Sequence, residues 1–114
     1  MLAAGTRLRT AADFESVMRR GSRSGRRTVV VYLAQTGDAS SMAGFAVSRA
    51  VGGAVVRNRV KRRLRAIAAD LLPTLPAGTG LVVRALPASA SASFAALQRD
   101  VSDAASSAQR KARQ

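Results

Sequence analysis

The sequence predicts an α+β two-layer sandwich, a mixed central sheet with helices packed on it, and three observations carry that prediction. Val56, Val60, Leu64, Ile67 and Leu71 recur at the spacing of one helical face, so the segment around them is an amphipathic helix. Thr28–Gln35, Met42–Ser48 and Gly80–Leu86 are short runs rich in Val, Leu and Ala, bounded by Gly, Pro and Ser, which is the pattern of strands. Helical segments precede, separate and follow these runs, giving the order α-β-β-α-β-α. A chain of 114 residues suits one domain around one core. We expect a single domain over residues 1–114, with an ordered core from about 7 to 107 and a fraying basic tail from 108 to 114.

Taken in order, Thr10 has the character of an N-cap, with Asp13 three residues on. Ala11–Arg20 then reads as a helix whose Phe14, Val17 and Met18 share a face. Its acids, Asp13 and Glu15, lie in the first turn and Arg19 and Arg20 in the last, matching the helix dipole. Gly21 stops it. Ser22–Arg27 reads as a basic turn. Thr28–Gln35 is almost continuously apolar, so it is expected inside the sheet with both faces covered. The Gly37-Asp38 loop suggests antiparallel pairing of this strand with Met42–Ser48. Gly52-Gly53 can supply the turn into the main helix, Ala54–Leu72, which ends at Pro73. After the Gly80–Leu86 strand and a short loop, a last helix spans Ser93–Ser107, with Phe94, Leu97, Val101 and Ala104 as its apolar stripe.

Charge says most about function. Nineteen cations face six acids, a net charge of +13, and seventeen of the cations are Arg. That excess is beyond what solubility requires and points to a polyanionic partner. Arginine's planar fork matches phosphate in a way the lysine ammonium does not. The cations concentrate in Arg57-Asn58-Arg59-Val60-Lys61-Arg62-Arg63-Leu64-Arg65, a stretch without an acid. Solvated helix faces mix signs, because like charges four residues apart repel. On the helix, Asn58, Lys61, Arg62 and Arg65 lie opposite the apolar stripe. Arg57, Arg59 and Arg63 flank it, where their stems can lie on apolar surface.

Other chemistry is excluded by residue type. There is no Cys and no His, which removes disulfides, thiolate catalysis and the usual zinc sites. The six acids Asp13, Glu15, Asp38, Asp70, Asp100 and Asp103 are scattered, whereas a metal nuclease needs converging carboxylates. The start of the chain shows no apolar signal core, and the longest apolar run, Val29–Ala34, is far too short to span a bilayer. A cytoplasmic protein is expected.

The strand Gly44-Phe45-Ala46-Val47-Ser48-Arg49, followed by Gly53-Ala54-Val55-Val56 and then Arg57-Asn58-Arg59-Val60-Lys61-Arg62-Arg63-Leu64-Arg65, resembles the signature of the bacterial ribonuclease P protein component. Arg7-Leu8-Arg9 with Asp13-Phe14, and Leu81-Val82-Val83 later in the chain, resemble the same family, so the likeness runs from about Arg7 to Arg110. It implies the order α-β-β-β-α-β-α, one strand more than the elements read above, and a left-handed β-α-β crossover. It also implies the protein subunit of an RNA-based endoribonuclease: the RNA, with Mg²⁺ required by the holoenzyme and no cofactor bound by the protein alone, removes the 5′ leader of precursor tRNA. The implied partners are the catalytic RNA and precursor tRNA, one protein monomer per RNA, with neither membrane nor DNA.

Carried onto this chain, the resemblance assigns Arg49, Arg57, Asn58, Arg59, Lys61, Arg62, Arg63 and Arg65 to the catalytic RNA. It assigns a leader-binding cleft to Phe14, Met18, Val31, Ala46 and Ser48. Many family members have aromatics where Met18 and Val31 stand, so weaker base stacking is expected here; Tyr32, next to Val31, is expected on the other face of its strand. Composition alone leaves a ribosomal-type RNA-binding protein as the alternative. The charge makes one prediction independent of partner: sulfate or phosphate at constant ionic strength raises the thermal unfolding midpoint of the free protein, because self-repulsion opposes compaction. An unchanged midpoint contradicts it.

Overall fold

Two strands of near-unbroken aliphatic character form the centre of the molecule, because only a position covered on both faces removes all their side chains from water. The computed structural model describes residues 11–36 and 40–112. Its elements are α1 (Ala11–Arg20), β1 (Ser22–Gly25), β2 (Val29–Gln35), β3 (Met42–Ala46), α2 (Ala54–Leu71), β4 (Thr79–Ala85) and α3 (Phe94–Ala112), with short 3₁₀ turns at Leu72–Thr74 and Pro87–Ala90. The expected N-cap Thr10, the Arg7-Leu8-Arg9 opening, the Gly37-Asp38 loop and residues 113–114 lie outside the described residues.

The sheet is mixed, in the order β1-β2-β4-β3. β2 pairs antiparallel with β1 and β4, from Val29↔Ala85 to Gln35↔Thr79 on the β4 side, and β3 pairs parallel with β4. Two expectations are corrected. The additional strand is Ser22–Gly25, whose polar residues read as a turn; as an edge strand it needs no apolar face. Met42–Ala46 does not form a hairpin with β2, because β4 inserts between them. β4 is buried along almost its whole length and needs the interior position, whereas half-buried β3 suits the edge.

The two faces of the sheet carry different cores. Val29, Val31 and Leu33 of β2 and Leu81, Val83 and Ala85 of β4 meet Val60, Leu64, Ile67 and Ala68 of α2 and Leu97, Val101, Ala104, Ala105 and Ala108 of α3. The alternate residues Val30, Tyr32 and Val82 form a smaller cluster with Val17, flanked by Phe14 and Met18. The α+β architecture stands as read, but helices lie on both faces, so α1 adds a third, thinner layer to the expected two. α3 runs to Ala112 with Ala108 fully buried. Residues 108–112 therefore belong to the helix rather than to a frayed tail, and Lys111 Nζ donates to Arg23 O at 2.8 Å. Phe94, expected in the α3 stripe, stands at the helix start and is 40% exposed. Ser93 Oγ caps that end by accepting from Ala96 N at 3.1 Å.

Two glycines set close approaches. Gly52, at φ +157°, turns the chain into α2, and a Cβ there would lie 3.0 Å from Val56 Cγ1. At Gly80 a Cβ would lie 2.8 Å from Val17 Cγ2 and 2.9 Å from Thr36 Cγ2, so this residue lets α1 sit against β4. Gly80→Ala is expected to lower stability by about 1–3 kcal/mol, the usual cost of overpacking. Chemical denaturation checks it, and an unaltered midpoint would contradict this account of α1 docking.

Candidate nucleic-acid interface

α2 is anchored through its apolar stripe, with Val60, Leu64, Ile67 and Ala68 buried and Val56 and Leu71 packed at the margin. Its opposite face is wet: Asn58 and Arg62 are exposed, and Lys61 and Arg65 are half-buried. Val55, 81% exposed, shares that outer face. The first turn of α2 contains no acid and no side-chain cap. The helix is thus held in the core along one side and presents cations along the other, as its periodicity indicates.

The flanking arginines divide their roles. Arg59 Nη2 donates to Ala90 O at 2.9 Å, and Arg63 Nη1 donates to Ala92 O at 3.0 Å. Both guanidinium groups therefore tie α2 to the loop before α3 with one arm, and Arg59 Nε is itself buried without a partner. Arg57, on the opposite flank, makes no such bond among the described residues, and its Nε is buried without a partner. Arg49 is exposed between β3 and α2. The structure brings Arg57, Asn58, Arg59, Lys61, Arg62, Arg63 and Arg65 onto one helix, with Arg49 on the segment leading to it.

The second predicted surface needs one exchange of residues. Phe14 and Met18 of α1 border the smaller cluster, on the sheet face that includes Val30, Tyr32 and Val82. Val31 is not on this face. It is fully buried on the other side, in the cluster that α2 and α3 build. Tyr32 takes the place assigned to Val31. The phase of β2 was illegible because Val29 to Ala34 is apolar at every position, so no alternation marks which parity faces α1. Ala46 belongs by strand alternation to the α1 side, with Met42. Ser48 is exposed beyond the strand end, where its Oγ accepts from Ala50 N at 3.3 Å.

Two cations join this face that sequence reasoning did not select. Arg23 of β1 pairs with Tyr32, and its guanidinium carbon stands 6.0 Å from the ring centroid, within cation–π range. Arg84 of β4 lies between Val30 and Ala46, on the same parity as Val82. Its Nε is buried without a hydrogen-bond partner. A lone charge inside Leu81-Val82-Val83-Arg84-Ala85 was the available clue, since charged residues seldom occupy interior strands without a partner. Among the described residues, no three His, Cys, Asp or Glu side chains come together in a metal-holding group, and no helix is long and apolar enough to cross a membrane.

A cation-bearing helix on one face of a sheet, with an aromatic and two arginines on the other, defines a nucleic-acid-binding protein. Residues 2–109 match the family model described as Ribonuclease P. The chain is 54% identical over 99 residues to a ribonuclease P protein component of Acidothermus cellulolyticus, covering 85% of this chain and 82% of the relative. It is 48% identical over 111 residues to that of Kocuria rhizophila, covering 97% and 98%. The fold matches the ribonuclease P protein of Thermotoga maritima with a TM-score of 0.74 at 26% identity, covering 85% of this chain and 92% of that one. A Staphylococcus aureus ribonuclease P protein mutant matches at 0.83 and 24% identity, covering 92% and 89%. This chain belongs to the ribonuclease P protein family, whose members are accessory subunits of an endoribonuclease. The ribosomal-type alternative finds no support among these relatives.

The division among the arginines is testable. Arg63→Ala is expected to lower stability by about 1.5–3 kcal/mol, the range for a hydrogen bond to a charged group. Arg62→Ala is expected to stay within about 0.5 kcal/mol of the parent, as exposed substitutions do. Equal denaturation midpoints for the two variants would remove the structural role given to Arg63.

Proposed function

We propose that α2 docks the chain on the catalytic RNA of ribonuclease P and that the α1 side of the sheet takes the single-stranded 5′ leader of precursor tRNA. The observation that carries the reading is the outer face of α2: Asn58, Lys61, Arg62 and Arg65, with Arg57 at its flank, on a helix whose other side is locked into the core. Cations held on a rigid element neutralise phosphates at little ordering cost. Such contacts carry no base code, which suits a helix that docks on a folded RNA. Bound there, the protein lowers the repulsion that precursor tRNA meets on approaching the catalytic RNA.

The leader surface combines Phe14, Met18 and Tyr32 with Arg23, Arg84, Ala46 and Ser48. Base stacking is worth about 1–3 kcal/mol per base, but Tyr32 is only 6% exposed and Phe14 and Met18 are half-buried. Leader binding in this chain therefore leans on the two arginines, which meet backbone phosphates, more than on stacked aromatics. The chain's residues bind and orient, while the hydrolytic chemistry is assigned to the RNA and its own Mg²⁺.

The test is single-turnover cleavage of a precursor tRNA by ribonuclease P RNA at low Mg²⁺. The wild-type chain is expected to stimulate cleavage, and Arg57→Ala/Arg62→Ala/Arg65→Ala is expected to abolish the stimulation. No stimulation by a folded wild-type chain would overturn the reading. Arg23→Ala is expected to weaken binding of leader-bearing substrate about fivefold, equivalent to about 1 kcal/mol, and to leave binding of mature tRNA unchanged. Equal weakening for both substrates would place Arg23 outside the leader surface.

A further inference from the structure

Away from both surfaces, Arg27 and Arg99, far apart in sequence, line one cavity of about 220 Å³ together with Thr28, Ser91, Ala92 and Asp100. Both arginines are exposed, and among the described residues neither guanidinium has a hydrogen-bond or ion-pair partner. Their neighbour Arg26 behaves differently. It is committed to the fold, donating to Ser24 Oγ at 3.1 Å, Gly25 O at 2.8 Å and Asp103 O at 3.3 Å. The one acid of the cavity, Asp100, is turned to Thr28: its Oδ2 accepts from Thr28 Oγ1 at 2.7 Å and Thr28 N at 3.3 Å.

The walls are fixed from two sides. The Thr28–Asp100 bonds hold the β1–β2 turn against α3. The loop carrying Ala90 and Ala92 is held to α2 by Arg59 and Arg63. The cavity is therefore joined to the helix assigned to RNA docking through that loop. The two arginines rise from elements that these bonds hold together. Two guanidinium groups and the Ser91 hydroxyl around one hollow form a set of donors suited to phosphate oxygens.

We propose that this cavity is a second phosphate site, which takes one or two phosphodiester groups of the same structured RNA that α2 docks and so extends the interface beyond α2. The inference rests on the reading of the chain as the RNA-binding subunit, and the test separates the two. Affinity of the full chain for ribonuclease P RNA is measured across a salt series with wild type, Arg27→Ala/Arg99→Ala, Arg27→Lys/Arg99→Lys, Arg57→Ala/Arg62→Ala, and Arg19→Ala/Arg20→Ala. The last removes two exposed charges from α1 and controls for net charge. For Arg27→Ala/Arg99→Ala, the slope of log affinity against log salt is expected to shrink by about 1–2, one unit for each phosphate no longer neutralised. The Lys pair is expected to keep most of the slope, and the α1 pair to change it less. An unaltered slope in Arg27→Ala/Arg99→Ala, with a reduced slope in Arg57→Ala/Arg62→Ala, would overturn this inference alone. An equal reduction in the α1 pair would overturn it as well, as a mere net-charge effect. Failure of wild type to bind the RNA would overturn both readings.

Discussion

The antiparallel ladder between β2 and β4 is the constraint on which the rest of the molecule depends. Both strands are apolar on both faces, and each side of the pair must be covered. Alternation then sends Val29, Val31 and Leu33 to one side and Val30 and Tyr32 to the other. The larger side recruits α2 and α3 and thereby fixes the cationic helix in space. The smaller side recruits α1 and leaves room beside Tyr32 for two arginines. Two binding surfaces on opposite faces thus follow from one pair of strands.

Basicity of this degree opposes folding, and part of the opposition is relieved within the fold itself. Arg26, Arg59, Arg63 and Lys111 all donate to backbone carbonyl oxygens. With few acids in the chain, carbonyls take the place of carboxylates as acceptors for charged donors. Such bonds stabilise a link between elements without neutralising its charge, so the outward potential that attracts a polyanion is preserved.

Much of the architecture is legible in the sequence because each helix declares its period. The α2 stripe and its outer cations are where the spacing of Val56, Val60, Leu64 and Ile67 places them. The errors share a cause: sheet pairing is non-local. Ser22–Gly25 is polar enough to pass for a turn, and becomes a strand only because Val30 to Leu33 supplies a partner. Met42–Ala46 follows β2 after a short loop, yet pairs with a strand more than thirty residues later. The exchange of Val31 for Tyr32 is a one-residue error of phase, which an all-apolar strand cannot reveal. The roles of Arg59 and Arg63 were half legible: the stripe geometry put them at the border of the core, but their carbonyl acceptors lie in a distant loop.

The acceptors of Arg59 and Arg63 are main-chain oxygens of Ala90 and Ala92, and that choice shapes how the loop can evolve. A side-chain acceptor would bind selection to residue identity. A carbonyl acceptor binds it to backbone position. The two bonds therefore do not fix which side chains stand at positions 90 and 92, while an insertion or deletion within residues 87–93 would shift the carbonyls out of register with the helix. Natural variation in this loop should be strict in its length.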